Sequence, residues 1–215
     1  MKIIDISWPL TDKTTTYKNK NNIRLEPTKT FEADAVRETH VSFGAHSGTH
    51  VDAPSHFLQQ GKTIDQVPLG SLIGPARVID CTSLANVITA DFLAQHTIEP
   101  GDIILFKTRN SEKSPFDAFD FNFIYLSTDA ADYLVKKKIK AVGIDYLGIE
   151  RDQKNHETHV QLMNNNISII EGLRLEHVVE PKEYLFLCLP LALVGIEAAP
   201  ARAVLITDDV SVSSL

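Results

Sequence analysis

The sequence predicts an α/β fold in which helices cover the outside of a β-sheet. Residues 102–107 and 141–145 are apolar runs with the length and composition of buried strands. Between them, Ser127 can begin a helix that ends at the lysine run 136–138, where positive charge suits the helix dipole. A strand, a helix and a second strand at this spacing are typical of a crossover unit with its helix outside the sheet.

Further elements are predicted on both sides of this unit. Alternating apolar and polar residues predict strands over 23–31 and 36–43. Thr89 is a good N-cap for a helix that runs to about His96. The remaining predicted strands lie at residues 2–7, 76–81, 184–189 and 202–207.

Composition is that of an ordinary globular protein, with 43% hydrophobic and 23% charged residues among 215. We expect one domain over residues 1–215, with an N-terminal arm or loop around residues 9–22. A net charge of −7 argues against nucleic acid, because phosphate binding needs a basic surface.

Compartment is predicted from the start of the chain and from its two cysteines. No apolar run reaches about 18 residues, and Asp5 interrupts the short apolar start, so neither a membrane span nor a signal peptide is expected. Cys81 and Cys188 lie in apolar runs, which favours buried thiols in a reducing cytoplasm. No Cys-x-x-Cys pair offers a thiolate zinc site.

Residues 46–57, HSGTHVDAPSHF, hold three of the eight histidines. The candidate metal ligands or proton carriers in this segment are His46, His50, Asp52 and His56. A straight strand would spread them over roughly 33 Å, whereas the ligands of one ion lie about 2.0–2.2 Å from it. The chain must therefore bend, and Gly48 and Pro54 are placed where it can turn. The alternative interpretation is an ordinary turn with surface histidines.

The same segment resembles the signature of the cyclase-like metal-dependent hydrolases, His-x-Gly-Thr-His-x-Asp-x-Pro-x-His-Phe. Every fixed position of that signature is present between His46 and Phe57. Residues 5–10, Asp-Ile-Ser-x-Pro-Leu in pattern, are similar to the family's opening motif. The family includes bacterial kynurenine formamidases and isatin hydrolases. The resemblance implies a swivelling β/β/α fold, with a mixed sheet or barrel-like β core and outer helices.

A second segment must contribute ligands, because a local loop cannot surround an ion. His156 and His159 are three residues apart and would share a face of a helix. Glu171 follows the apolar run 167–170 and would lie at a strand end, where functional side chains gather in α/β sheets. Taken alone, a glutamate before glycine and a helix histidine are more often solvated surface residues than ligands. The resemblance implies that His159 is a ligand of a second metal and Glu171 a bridging carboxylate, with His156 as the alternative ligand.

This donor set suits metal-assisted hydrolysis with one or two divalent ions per subunit. The first ion would be bound by His46, His50 and Asp52, and the second by Asp52, His159 and Glu171. Mixed imidazole and carboxylate ligands favour zinc, with manganese as the next choice.

Three further residues receive roles. His56 is the candidate general acid, because an amide's leaving nitrogen must be protonated and imidazole titrates near neutral pH. A third metal ligand or a partner of one is the alternative role for His56. Thr49 is interpreted as fixing the loop. Tyr17 is a candidate substrate-binding residue, although the Pro-Gly that often follows this aromatic in relatives is missing here. A half-exposed aromatic of the loop is the equal alternative for Tyr17.

The resemblance implies a hydrolase of small amides, foremost an arylformamidase that acts on an N-formylkynurenine-like molecule. A hydrolase of cyclic amides or lactones, of the isatin hydrolase type, is the main alternative, and the missing Pro-Gly keeps it open. A non-catalytic protein that binds a metal or a small molecule is the third hypothesis. Family members are usually oligomers, so a homodimer or homotetramer is also implied.

Overall fold

Seven strands close into a barrel, and helices cover one side of it. The computed structural model describes residues 1–179 and 183–207. The strands of these residues are β1 (Lys2–Asp5), β2 (Arg24–Lys29), β3 (Glu38–Ser42), β4 (His50–Asp52), β5 (Ile73–Asp80), β6 (Val87–Ile88), β7 (Ile103–Lys107), β8 (Tyr125–Leu126), β9 (Ala141–Ile144), β10 (Ser168–Glu171), β11 (Glu183–Pro190) and β12 (Ala198–Thr207). The α-helices are α1 (Phe31–Asp34), α2 (Ala90–Leu93), α3 (Thr128–Lys137) and α4 (Glu157–Asn164).

The barrel is a mixed sheet. Its ring runs β12, β11, β5, β7, β9, β10 and β4, and β4 pairs back to β12. Strands β5, β7, β9 and β10 are parallel neighbours, whereas the pairings of β4, β11 and β12 are antiparallel. The predicted crossover unit is present, because β7 and β9 pair in parallel with α3 between them in the chain. The predicted α/β class with a barrel-like core and outer helices is confirmed.

Alternation along the strands decides which side chains fill the barrel. In β7, Ile103 and Leu105 belong to the interior core, whereas Ile104 and Phe106 belong to the core shared with the helices. This is the period of two that a pleated strand imposes. Gly143 on the neighbouring β9 leaves room inside, since a Cβ there would lie 2.7 Å from a methyl carbon of Leu173.

The predicted strands over 23–31 and 36–43 form the hairpin of β2 and β3, but this hairpin lies outside the barrel and is exposed along both strands. The loop of residues 9–22 does not extend as an arm. Its threonines 14–16 are buried, and the Thr15 N–H donates to the Pro115 carbonyl at 2.7 Å. The projecting element is therefore the hairpin.

The structure agrees with only part of the predicted helix bounds and caps. The Thr89 hydroxyl accepts from the Phe92 N–H at 3.3 Å, so the helix starts as predicted, but it ends at Leu93 rather than His96. Ser127 occupies the N-cap of α3, yet its hydroxyl donates to the Ile88 carbonyl at 2.8 Å instead of capping. Among the described residues, no helix has both the length and the apolar character needed to cross a membrane.

Gly172, which follows β10, offers a test of how closely the backbone packs between β10 and the segment before β4. Its φ is +70°, and a Cβ would lie 2.4 Å from the Gly48 carbonyl oxygen. We expect Gly172→Ala to lower the free energy of unfolding by about 2–4 kcal/mol, because the left-handed backbone and the backbone contact both oppose a side chain. Urea denaturation measures the change. The matched control is Gly70→Ala, where a Cβ meets nothing within 4 Å; equal stability of the two variants would contradict the prediction.

Candidate metal centre

The strand β4 places the first set of donors on the outer wall of the barrel. Val51 points into the barrel core, so its neighbours His50 and Asp52 point outward. On β10, Ile170 points inward and Glu171 outward by the same alternation. The antiparallel register sets Glu171 directly opposite His50. The two predicted segments therefore meet across one pair of strands.

Thr49 joins three segments at the start of β4. Its hydroxyl donates to the Gly172 carbonyl at 2.5 Å and accepts from the Trp8 N–H at 2.8 Å. Gly48 has a φ of +59°, which is the bend that the sequence predicted there. The interpretation of Thr49 as a residue that fixes the loop agrees with these contacts.

The donor atoms converge on Asp52. One oxygen of Asp52, Oδ1, lies 3.0 Å from His46 Nδ1 and 3.4 Å from His50 Nε2. The other oxygen, Oδ2, lies 3.6 Å from His159 Nε2. Glu171 lies between the imidazoles, with Oε2 at 3.4 Å from His50 Nε2 and Oε1 at 3.3 Å from His159 Nε2. Asp52 thus faces two groups of donors, one through each oxygen.

The residues fit a divalent ion. His50 Nε2 and both oxygens of Asp52 are buried and have no hydrogen-bond partner within the described residues. Polar atoms left in this state are costly unless an ion or water satisfies them. Ligands about 2.0–2.2 Å from one ion lie roughly 3–3.6 Å from one another, which is the spacing seen here. If His50 and Asp52 served only to hydrogen-bond within the protein, their buried atoms would have hydrogen-bond partners.

Electrostatics within the cluster are strong. Burial opposes charge on His50, but Glu171 and Asp52 outweigh it and raise its pKa to about 9. Burial also opposes charge on Glu171, as does the neighbouring Asp52, yet His159 and His50 hold the pKa of Glu171 at about 2. The pKa of Asp52 is lowered despite its burial, by His159 and His46. Both carboxylates are therefore ionised and ready to bind a cation.

His56 lies beside this cluster on the turn after Pro54. Its ring centroid is 4.3 Å from that of His46 and 6.1 Å from that of His159. Burial lowers the pKa of His56, and the charge of His46 adds to this effect, while Asp52 opposes it. The imidazole is consequently neutral at pH 7 and can accept a proton.

A cavity of about 310 Å³ opens above the donors, which is at the small end of ligand-binding cavities. Its walls include Tyr17, Phe57 and Leu147, and its floor includes Asp52 and Glu171. Tyr17 is held edge-on against Phe119, with ring centroids 5.1 Å apart. The predicted substrate-binding residue therefore lines the cavity.

A larger groove of about 630 Å³ lies away from this cluster, around Trp8. Its charged groups are already matched, because Arg202 pairs with Asp5 and Arg174 lies 3.5 Å from Glu176. We therefore assign the chemistry to the smaller cavity, where unsatisfied donors face the opening.

The structure brings together all five predicted metal ligands, His56 and Tyr17. His156 is different: it pairs with Glu150 and not, among the described residues, with Asp52 or Glu171. It also precedes α4 in a left-handed conformation, so the predicted shared helix face with His159 is wrong.

Two neighbours of the cluster escaped sequence reasoning. Glu150 Oε2 lies 3.0 Å from His159 Nδ1, and Glu197 Oε1 lies 3.5 Å from His46 Nε2. For Glu150 a signal existed, because it is a charged residue at the end of the apolar run 146–149. Glu197 carries no comparable mark, since its position depends on how the barrel closes.

A cavity with the unsatisfied carboxylate of Asp52 at its floor, ringed by the imidazoles of His46 and His159 and with the neutral imidazole of His56 beside them, is the site of a metal-dependent hydrolase. The chain belongs to the Cyclase family, whose family model, described as "Putative cyclase", matches residues 4–151. It is 32% identical over 207 residues to a kynurenine formamidase of Bacillus cytotoxicus, with 94% of this chain and 96% of that protein covered. The predicted membership of the family is confirmed.

Two solved structures are also similar. "The Structure Of Potential Metal-Dependent Hydrolase With Cyclase Activity" matches with a TM-score of 0.85 and 43% identity, covering 95% of this chain and 96% of that one. An isatin hydrolase bound to the product analogue thioisatinate matches with a TM-score of 0.85 at 22% identity, covering 96% of this chain and 92% of that one. The second likeness establishes the shared fold.

Removing the metal should make stability depend on pH. The folded pKa of His50 is about 9, above its ordinary value of 6.5. Its stabilising charge is therefore fully present below pH 6.5 and lost as pH rises through 9. We expect the urea midpoint of chelator-treated protein to fall between pH 6.5 and 9, and His50→Gln to reduce that fall. A stripped wild type whose midpoint stays level or rises over this range would contradict the prediction.

Proposed function

We propose that this protein is a metal-dependent amidohydrolase that cleaves small aryl formamides such as N-formylkynurenine. The observation that carries the proposal is the set of buried atoms without hydrogen-bond partners on Asp52, at the floor of an aromatic-lined cavity, and on His50 directly behind it. The named activity of the curated relatives supports the substrate class.

Two groups of residues would hold metal in this proposal. His46, His50 and Asp52 would hold one ion, and Asp52, His159 and Glu171 would hold a second. Nitrogen and carboxylate donors favour zinc, with manganese as the alternative. The chemistry that such an ion would supply is a bound water whose pKa falls from 15.7 toward about 7, and a polarised carbonyl oxygen.

The protein itself supplies proton transfer and orientation. His56 is neutral at pH 7, so its imidazole can take a proton from the attacking water. The same proton then passes to the leaving amine nitrogen as the formyl C–N bond breaks, which gives an aryl amine and formic acid; the acid releases its proton to solvent at neutral pH and leaves as formate. Phe57 and Tyr17 would hold the aryl ring by their faces and edges. This arrangement keeps the formyl group over the floor of the cavity.

A parallel assay of N-formylkynurenine and isatin tests the proposal, with added zinc or manganese and with chelator controls. We expect the formamide to be the better substrate and the activity to disappear with chelator. Preference for isatin would identify a cyclic amide hydrolase instead. Turnover that resists chelation would overturn the metal mechanism, and a protein that binds metal but hydrolyses neither substrate would be a binding module.

His56→Ala separates proton transfer from metal binding. We expect the variant to keep its metal content and to lose about 10²–10⁴-fold in kcat, because only the proton carrier is removed. The matched control is His177→Ala, since the side chain of His177 is 78% exposed and pairs with Glu176. Loss of metal together with activity would identify His56 as a ligand and reject the proton-transfer role.

We also propose that the protein works in the cytoplasm as a homodimer or homotetramer. The buried thiols Cys81 and Cys188 support a reducing compartment. The hairpin of β2 and β3 supports self-association, because Leu25 and Val41 are cross-strand partners that remain 40% and 48% exposed. A two-stranded hairpin alone is at best marginally stable in water.

Light scattering at micromolar concentration tests the assembly. We expect an oligomer for the wild type and a shift toward monomer for the double variant Leu25→Lys, Val41→Lys, because the charges oppose burial of the hairpin face. Leu69→Lys, at a 55% exposed residue outside the hairpin, is the control. A monomeric wild type would refute the proposed assembly.

A further inference from the structure

Glu150 is a buried carboxylate that the reaction above does not use. The residue is 6% exposed and lies between two imidazoles. Its Oε2 atom is 3.0 Å from His159 Nδ1 and accepts from the His159 backbone N–H at 3.2 Å. Its Oε1 atom is 2.5 Å from His156 Nδ1. Burying a carboxylate is costly unless its contacts compensate, and here the contacts come from His156 and His159.

The two inner histidines differ in how their second ring nitrogen is held. His50 Nδ1 lies 2.8 Å from the Gly48 carbonyl oxygen, which fixes the ring from its own loop. His159 lies on the first turn of α4 and turns Nε2 toward Asp52 and Glu171, which leaves Nδ1 facing Glu150 Oε2 at 3.0 Å, although the two groups are not aligned for a hydrogen bond in this structure. Binding of a metal through Nε2 would leave the ring proton on Nδ1, next to this carboxylate. A carboxylate in this position sets the tautomer and the orientation of a metal-binding imidazole.

The backbone before α4 adds a second, independent observation. Asp152, Asn155 and His156 all have positive φ values, of 53°, 56° and 54°. Non-glycine residues stay in this conformation only where surrounding contacts hold them. His156 supplies such contacts, through Glu150 and through its ring against Phe57 at 4.5 Å. Because His156 is the N-cap of α4, the same contacts set where the helix begins.

We propose that Glu150 is a positioning residue that orients His159 for metal binding in two ways. It contacts the His159 imidazole directly, and through His156 it sets where α4, the helix that carries His159, begins. The inference rests on the proposed function only in requiring that the site bind a metal. Removing such a partner typically lowers metal affinity about 10–100-fold. His156 acts in this scheme as an anchor of Glu150 and not as a ligand.

Competition between the protein and a chromophoric chelator for Zn²⁺, without substrate, tests the proposal. We expect Glu150→Gln to weaken zinc binding by about 10–100-fold, and His156→Ala to weaken it by a smaller factor. Glu157→Gln is the matched control, because Glu157 is exposed and lies on α4 with His159, and the substitution removes the same charge as Glu150→Gln. Its affinity should stay within about twofold of the wild type.

A folded Glu150→Gln variant, with native circular dichroism, that binds zinc as tightly as Glu157→Gln would overturn the proposal. If Glu150→Gln does not fold, NMR of zinc-loaded wild type labelled with ¹⁵N-histidine decides instead. The proton on His159 Nδ1 should be protected from solvent exchange, and free exchange would overturn the assignment. A wild type that binds zinc but hydrolyses no formamide would refute the proposed function while leaving this measurement intact.

Discussion

The pairing of β4 with two strands at once is the constraint on which the structure depends. His50 lies opposite Glu171 on β10 and opposite Pro200 on β12, so the strand that carries the donors is also the one that closes the barrel. Only three residues form this strand. The Thr49 hydroxyl holds its start against Gly172. Closure of the barrel and assembly of the candidate metal centre therefore depend on the same strand pairings.

Closing the barrel in this way buries charges that do not favour one another. Asp52 and Glu171 are both ionised, and Asp52 opposes the charge on Glu171. The imidazoles of His50 and His159 offset that repulsion, but they leave His50 Nε2 and both Asp52 oxygens without hydrogen bonds within the described residues. Burial of charges and unsatisfied donors costs several kcal/mol in general, and a divalent cation is the ligand that removes both penalties together.

Sequence reasoning found the features that depend on local chemistry. The bend at Gly48, the cap at Thr89, the start of α3 after Ser127 and the alternation of the barrel strands follow from a few adjacent residues. The predictions were wrong or incomplete where packing against distant segments decides which face of an element is buried. Alternation over 23–43 predicted strands correctly but could not tell a core face from an exposed hairpin, because the pattern is the same in both cases.

In the candidate site too, residues set by local sequence could be predicted, whereas residues placed by distant segments could not. Residues of the 46–57 segment could be predicted because their spacing and their resemblance to a signature lie within one stretch. Spacing placed His156 and His159 on one helix face, but no Ser, Thr, Asp or Asn at the N-cap marked where α4 begins, and His156 itself fills that position. Glu150 becomes meaningful only once the chain has folded it against both histidines.

The donors and the walls of the cavity come from different kinds of structure, which separates chemistry from specificity. His50, Asp52 and Glu171 lie on paired strands whose register fixes their spacing. The walls come mainly from connecting segments, including Tyr17 on its loop and Leu147 after β9. Loops accept substitution more readily than a closed barrel does. The missing Pro-Gly after Tyr17 therefore bears on which amide fits the cavity, while the hydrolytic machinery beneath it is left unchanged.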